Sequence, residues 1–285
     1  MLRKVLSNSL LVLGAFGLVI SLLGEFTSLG KYESALPRSW EQFDPQLVIE
    51  TPDLASLHRK VNALTNKPTN QQTNKLTNQP ITEQEKMLII YDVVIRRFTH
   101  SDQAKYNMFS NWPLWVMGQV YSPFIYIRQP EVLVKKGHSS LCSEQAYLLQ
   151  TLAESEGIRT RAVGLNGHVV MEAWYKNDWH LYDPDLELVP FLANGVVLSL
   201  DELAKEPALV RAYYQGRGTK EYIQSIADII STREDNSFIL YWMVEKHLAY
   251  RIEIVAKTMK WLIPIMFLLL GFWLHSKKEK KTCVA

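Results

Sequence analysis

The sequence predicts an α+β domain, a cysteine-bearing helix packed on a small antiparallel sheet, framed by two apolar helices able to cross a membrane. Three observations predict it. Apolar segments lie near both ends of the 285-residue chain, at 5–24 and 258–275. Between them an amphipathic stretch from Cys142 to Gly157 has helical spacing. Directly after it, Arg159–Leu165, His168–Tyr175 and Trp179–Asp183 alternate with period two, as half-buried strands do.

The membrane segments come first. After Arg3 and Lys4 no charge appears until Glu25, and the 20 residues between span about 30 Å as a helix. Two readings stand for this segment: an uncleaved anchor, or a signal peptide with a weak cleavage site at Ser28-Leu29-Gly30. The second run, Trp261–Leu274, has 14 uncharged residues. It lengthens to a span if Lys260 snorkels and Thr258, Met259 and His275 join it, with Trp261 and Trp273 at the interfaces. Its competing reading is a buried core helix, which leaves the basic tail at 276–285 without a role. Arg3 and Lys4 on one side, and Lys277, Lys278, Lys280 and Lys281 on the other, predict that both ends stay cytoplasmic and the intervening domain is exported.

Residues 25–64 carry no assignable pattern beyond Pro37, Pro45 and Pro52, which interrupt any long helix. The four-residue repeat at 65–80 (Thr-Asn-x-x) has almost no apolar content and reads as a disordered surface loop. Thr82 and Glu85 form a capping-box signature ahead of an apolar run, opening the stretch 82–190 read as the core. Within it, Asn111-Trp-Pro-Leu-Trp115 suits either a cleft wall or a packed loop. Ser139 or Ser140 is expected to cap the cysteine helix, and Gly157 to end it. Beyond Pro190, region 199–257 reads as helical: a capping box at Ser199 and Glu202 heading a helix to about Gln215, then Glu221–Ser231, then Phe238–Lys257.

The formal charge of +2 gives no reason to expect a nucleic-acid partner. Without a phosphate loop, a CxxC pair or an HExxH helix, no metal or cofactor is expected. Cys283, beyond the basic run, is not expected to pair with Cys142, so the lone core cysteine is either packing or chemistry.

Chemistry is favoured by what surrounds it. A nucleophilic thiol needs a base for its proton and a third group to orient that base. The chain supplies Cys142 in the first turn of a helix, where the dipole and free N–H groups favour a thiolate, then His168 and Asp183 on successive strands. On the wheel Cys142 shares a side with Ala146, Leu149 and Ala153, so it points into the domain. His180 points away from the face shared by Trp179, Leu181 and Asp183. His138 is a rival base, and Asp185 a rival orienter.

These motifs, Gly137-His-Ser-Ser-Leu-Cys142-Ser-Glu144, His168-x-x-x-Glu172 and Trp179-x-x-x-Asp183-Pro184, resemble the transglutaminase-like superfamily of papain-like cysteine enzymes over roughly Glu85–Pro190. The resemblance implies Cys142 as nucleophile, His168 as general base and then acid, and Asp183 as orienter. It implies acyl transfer from a protein or peptide amide to water or an amine, as a peptidase, deamidase or cross-linking enzyme. Ser140 stands where many members have glycine. That departure favours the competing expectation, a non-catalytic binding or scaffolding module on the same fold.

The charge flanks generate a topology test. Reporter fusions at Gly30 or Gly216 are expected to report an extracytoplasmic domain, and a fusion after Lys281 a cytoplasmic tail. A cytoplasmic signal from the Gly216 fusion reverses the assignment.

Overall fold

A computed structural model describes residues 2–66, 81–102, 104–232 and 236–279. In chain order its helices are α1 (Leu2–Phe26), α2 (Pro45–Glu50), α3 (Leu54–Thr65), α4 (Glu83–Arg97), α5 (Met108–Val120), α6 (Pro130–Lys136), α7 (Cys142–Ser155), α8 (Leu200–Leu203), α9 (Pro207–Tyr214), α10 (Lys220–Thr232), α11 (Tyr241–Lys246) and α12 (Leu248–Glu279). Its strands are β1 (Thr99–His100), β2 (Ser139–Ser140), β3 (Arg159–Leu165), β4 (Val169–Tyr175), β5 (Asp178–Tyr182) and β6 (Asn236–Leu240). The class is mixed α+β with apolar helices near both ends. The chain divides into two units: Met1–Tyr32, Lys105–Ile127 and His247–Ala285 form one, and Glu33–Ala104 with Arg128–Lys246 the other.

In the second unit an antiparallel sheet runs β5-β4-β3-β6. Two tight turns set its register. Asn166 and Gly167 join β3 to β4, and Lys176 and Asn177 join β4 to β5. All four residues have positive φ, the conformation of two-residue hairpin turns whose twist matches that of the strands. Val163, Leu165, Val170 and Leu181 face a core completed by Leu200, Val210, Ile226 and Ile230 of α8–α10. The alternate residues Ala162, Met171 and Ala173 are also fully buried and take the opposite face, where α7 packs on β3 and β4. Helix α4 packs on α7 in turn.

One ion pair, buried on its carboxylate side, ties the layers. Arg161 and Glu172 stand opposite each other across β3 and β4, 2.6 Å apart, and Glu172 also accepts the Leu200 N–H at 2.9 Å. The Glu172 of the cysteine-enzyme resemblance is therefore a structural carboxylate, locking α8 to the sheet.

The first unit pairs α1 with α12 antiparallel. Ser7 Oγ donates to the Gly271 carbonyl at 2.9 Å and Ser21 Oγ to the Lys260 carbonyl at 3.1 Å. A Cβ at Gly14 would lie 2.7 Å from the Pro264 carbonyl oxygen. Small residues thus let the backbones approach, as in membrane helix pairs. Leu2–Phe26 and Leu248–Ser276 are each long and apolar enough to cross a bilayer.

Several expectations need correction. Ser139 and Ser140 do not cap α7; they form β2, parallel to β1, and the cap position falls to Leu141. The helix expected from Ser199 to Gln215 breaks into α8 and α9, because Pro207 cannot continue a helix and instead starts one. Phe238–Lys257 is not one helix. Its first part is β6, which covers the edge of β3 that would otherwise be unpaired, as a short apolar run can. Asn111–Trp115 is neither loop nor part of the unit that holds Cys142; it lies in α5, kinked at Asn111 ahead of Pro113, within the unit of the apolar helices. Lys260 is buried in the protein, against Glu25 at 3.3 Å and the Ser110 carbonyl. Of the repeat at 65–80, Thr65 ends α3 and Asn66 follows it; residues 67–80 lie outside the described residues, as does Cys283.

The ion pair predicts a large mutational effect. Glu172→Ala strands the Arg161 guanidinium and the Leu200 N–H, and is expected to cost about 3–5 kcal/mol in chemical denaturation.

Candidate active site

Cys142 is the first residue of α7 and is partly exposed. Glu144 Oε2 accepts the Leu141 N–H at 2.8 Å, and the first intrahelical bond runs from Gln145 N to Leu141 O. Leucine has no side-chain acceptor, so the amides of the first turn around the thiol receive no cap from position 141. A polar cap would have competed for those donors.

Two segments hold this end of the helix in place. Parallel pairing of β1 with β2 sets Thr99 against Ser139 and His100 against Ser140, reinforced by Ser101 N to Ser140 O at 3.0 Å. The buried Arg97 guanidinium binds the carbonyls of Val134 (2.9 Å) and Gly137 (3.1 Å), fixing the chain just before β2. His100 is thereby delivered to Asp185, although no sequence pattern marks it.

His168 follows the Asn166-Gly167 turn, and Asp183 follows β5. The register pairs Met171 with Tyr182, so continuing it sets Asp183 opposite Val170, one diagonal from His168 on the same face. His168 Nε2 and Asp183 Oδ2 are 2.7 Å apart, and both side chains are buried. Asp183 Oδ1 accepts the Leu186 N–H at 3.0 Å, and Asp183 exchanges two backbone hydrogen bonds with Leu188. Tyr91 donates its O–H to the Asp183 carbonyl at 3.1 Å. Asp183 is thus held in place from several directions.

The resulting turn returns Asp185 to the same site. Its Oδ1 pairs with His100 Nδ1, and its Oδ2 lies 3.9 Å from His168 Nδ1. Cys142 Sγ, a His168 ring nitrogen and an Asp185 carboxylate oxygen all lie within 4.8 Å of one another. His168 Nδ1 is buried and has no hydrogen-bond partner among the described residues. The sulfur closes no bond of good geometry with it, yet is near enough to act on the ring's charge.

Burial alone would push the His168 imidazole down. The Asp183 carboxylate, by charge and by hydrogen bond, outweighs this with help from Cys142 and holds the imidazole well above its ordinary range. The ring edge of Tyr222 covers it, centroids 6.1 Å apart. Burial, with the nearby carboxylates, pushes the Tyr222 phenol up to about 12, so this neighbour stays neutral.

The rival residues fall elsewhere. His138 stacks on Phe43, centroids 5.1 Å apart. His180 is buried between the Val197 carbonyl (2.6 Å) and the Tyr175 carbonyl (3.1 Å), a packing histidine. Asp185 is close to His168, but on the nitrogen away from Asp183.

No protein-family model, curated protein or solved structure matches this chain. Its chemistry is therefore inferred from the geometry of its own residues.

Asp183→Ala leaves the His168 and Leu186 N–H groups unpaired in the core. It is expected to cost about 3 kcal/mol by denaturant titration, and Asp183→Asn, which keeps an acceptor, markedly less.

Proposed function

We propose that this protein is a membrane-anchored, transglutaminase-like thiol enzyme that transfers acyl groups from protein or peptide amides. The observation that carries the reading is the buried His168 imidazole, bonded through Nε2 to Asp183 and turning a free Nδ1 toward the Cys142 sulfur.

Each step then has a group to perform it. With the imidazole held charged, the thiol proton already rests on His168 Nδ1 as the thiolate Sγ attacks the amide carbonyl carbon, forming a C–S bond and a tetrahedral oxyanion. Amides of the first turn of α7, that of Cys142 foremost, are the donors for that oxygen. The imidazolium returns its proton to the departing amine as the C–N bond breaks, leaving a thioester on Cys142. Water or a second amine attacks the thioester, again losing its proton to His168, and the thiol is regenerated. Asp183 keeps the ring in the tautomer that presents Nδ1 to sulfur and stabilises the imidazolium.

The membrane part of the proposal rests on the antiparallel α1–α12 pair, which puts both ends of the chain on one side if both helices span. The basic flanks assign that side to the cytoplasm and the reaction to the outer side.

The test is the reactivity and turnover of a defined set of variants. Cys142→Ala is expected to abolish release of ammonia or amine from glutamine-containing peptides and peptide substrates, His168→Ala to come close to it, and Asp183→Asn to cost less. The losses are expected not to add in double variants. At neutral pH iodoacetamide is expected to alkylate Cys142 quickly in the wild type and slowly in His168→Ala. Equal rates remove His168 from the mechanism; a slow wild-type rate leaves a non-catalytic binding module.

A further inference from the structure

Catalysis of this type uses the His168–Asp183 side of the imidazole and leaves a second carboxylate, Asp185, unaccounted for beside the sulfur. We propose that Cys142 Sγ, His168 Nδ1 and an Asp185 carboxylate oxygen form a binding site for one thiophilic divalent cation of the zinc type, and that occupancy switches the thiol off.

Cys142 Sγ, a His168 ring nitrogen and an Asp185 carboxylate oxygen already lie within 4.8 Å of one another, and Asp185 Oδ2 is 3.9 Å from His168 Nδ1. Small side-chain movements bring such a group onto a common ion, whose bonds to sulfur, nitrogen and oxygen are about 2.0–2.3 Å. His168 Nδ1 is a buried nitrogen without a hydrogen-bond partner among the described residues, aimed into the group. Its other nitrogen is held at 2.7 Å by Asp183, the carboxylate support that metal-bound histidines commonly have. Asp185 has an equivalent support in His100, which pairs with its other oxygen. Both a ligand carboxylate and a ligand imidazole are thus oriented from behind.

The donor set selects the ion. A thiolate with an imidazole and one carboxylate suits zinc, and is poor for calcium or magnesium, which prefer shells of oxygen. On binding, Sγ and Nδ1 give up their protons to the buffer and each forms a bond to the metal. The lone pairs needed for attack and for proton transfer are then both occupied. The site itself stands without the acyl-transfer reading; its role as a switch rests on that reading.

The experiment uses the full chain in detergent, freed of metal by a chelator, in a Cys283→Ser background so that alkylation reports Cys142 alone. Zinc binding is measured by competition with a chromophoric chelator, and cobalt is added as a spectroscopic probe. One zinc per chain is expected, together with a sulfur-to-cobalt charge-transfer band that prior alkylation of Cys142 abolishes without any substitution. Zinc is expected to slow alkylation of Cys142 about tenfold or more. Asp185→Asn is expected to weaken zinc at least tenfold, while His138→Ala, whose ring stacks on Phe43, keeps wild-type affinity. Zinc that leaves the alkylation rate unchanged, or that binds Asp185→Asn as tightly as the wild type, overturns the site. Fast alkylation insensitive to zinc removes the metal site but not acyl transfer. Tight zinc on a thiol that is slow when metal-free removes acyl transfer but not the site.

Discussion

The register of the β3–β4–β5 meander is the constraint on which the site depends. Two pairs of left-handed residues, Asn166-Gly167 and Lys176-Asn177, fix it. A slip of one residue in β4 would turn His168, Val170 and Glu172 to the opposite face together, because side chains alternate strictly along a strand. The sheet resists such a slip at both ends. Glu172 is anchored by Arg161 and the Leu200 amide, while Tyr175 and Tyr182, on the other face of β4 and β5, join hydroxyls at 2.8 Å. The His168–Asp183 bond is a consequence of this register, since the two residues sit just beyond the paired strands.

What the sequence made legible depends on the range over which each signal acts. Strands β3–β5 and the first turn of α7 are local: alternation, turn residues and helical spacing all operate within a few positions, and they carry Cys142, His168 and Asp183. His100 was invisible because it reaches the site through β1 and β2, two residues each, paired across 40 positions of sequence. Strand β6 was missed for a related reason. Phe238-Ile239-Leu240 is apolar enough for either state, and the unpaired edge of β3 decides between them. Asp185 was weighed as a rival to Asp183 because a carboxylate's side of a ring cannot be read from spacing. The turn through Leu186 and Glu187, the latter at φ 49°, divides the two between the nitrogens.

The paired apolar helices obey a different logic. Burial in water selects large side chains, whereas the α1–α12 contact selects the absence of them at Ser7, Gly14, Gly17 and Gly271. Large residues such as Phe16, Val12, Leu269 and Phe272 point outward and are exposed. In a soluble protein that surface would be an aggregation hazard; in a bilayer it is the solvated face. Glu25 and Lys260 then close the pair at the end where the apolar runs stop, the half-buried carboxylate supplying the charge that the buried Lys260 needs.

At the sulfur the charges nearly balance, and this explains why the site carries so many supports. An anion on Sγ would have both the His168 imidazolium and the Asp185 carboxylate within 4.8 Å. Unit charges about 4 Å apart interact by about 4 kcal/mol at the effective dielectric of a protein surface, so attraction and repulsion are of similar size. Other groups add to the field at the sulfur. One is the uncapped first turn of α7, whose amides favour an anion. Another is His100, which draws charge from Asp185 when protonated. A site in which two acidic oxygens and a sulfur surround one imidazole is poised to accept positive charge from outside, whether as a proton or as a metal ion.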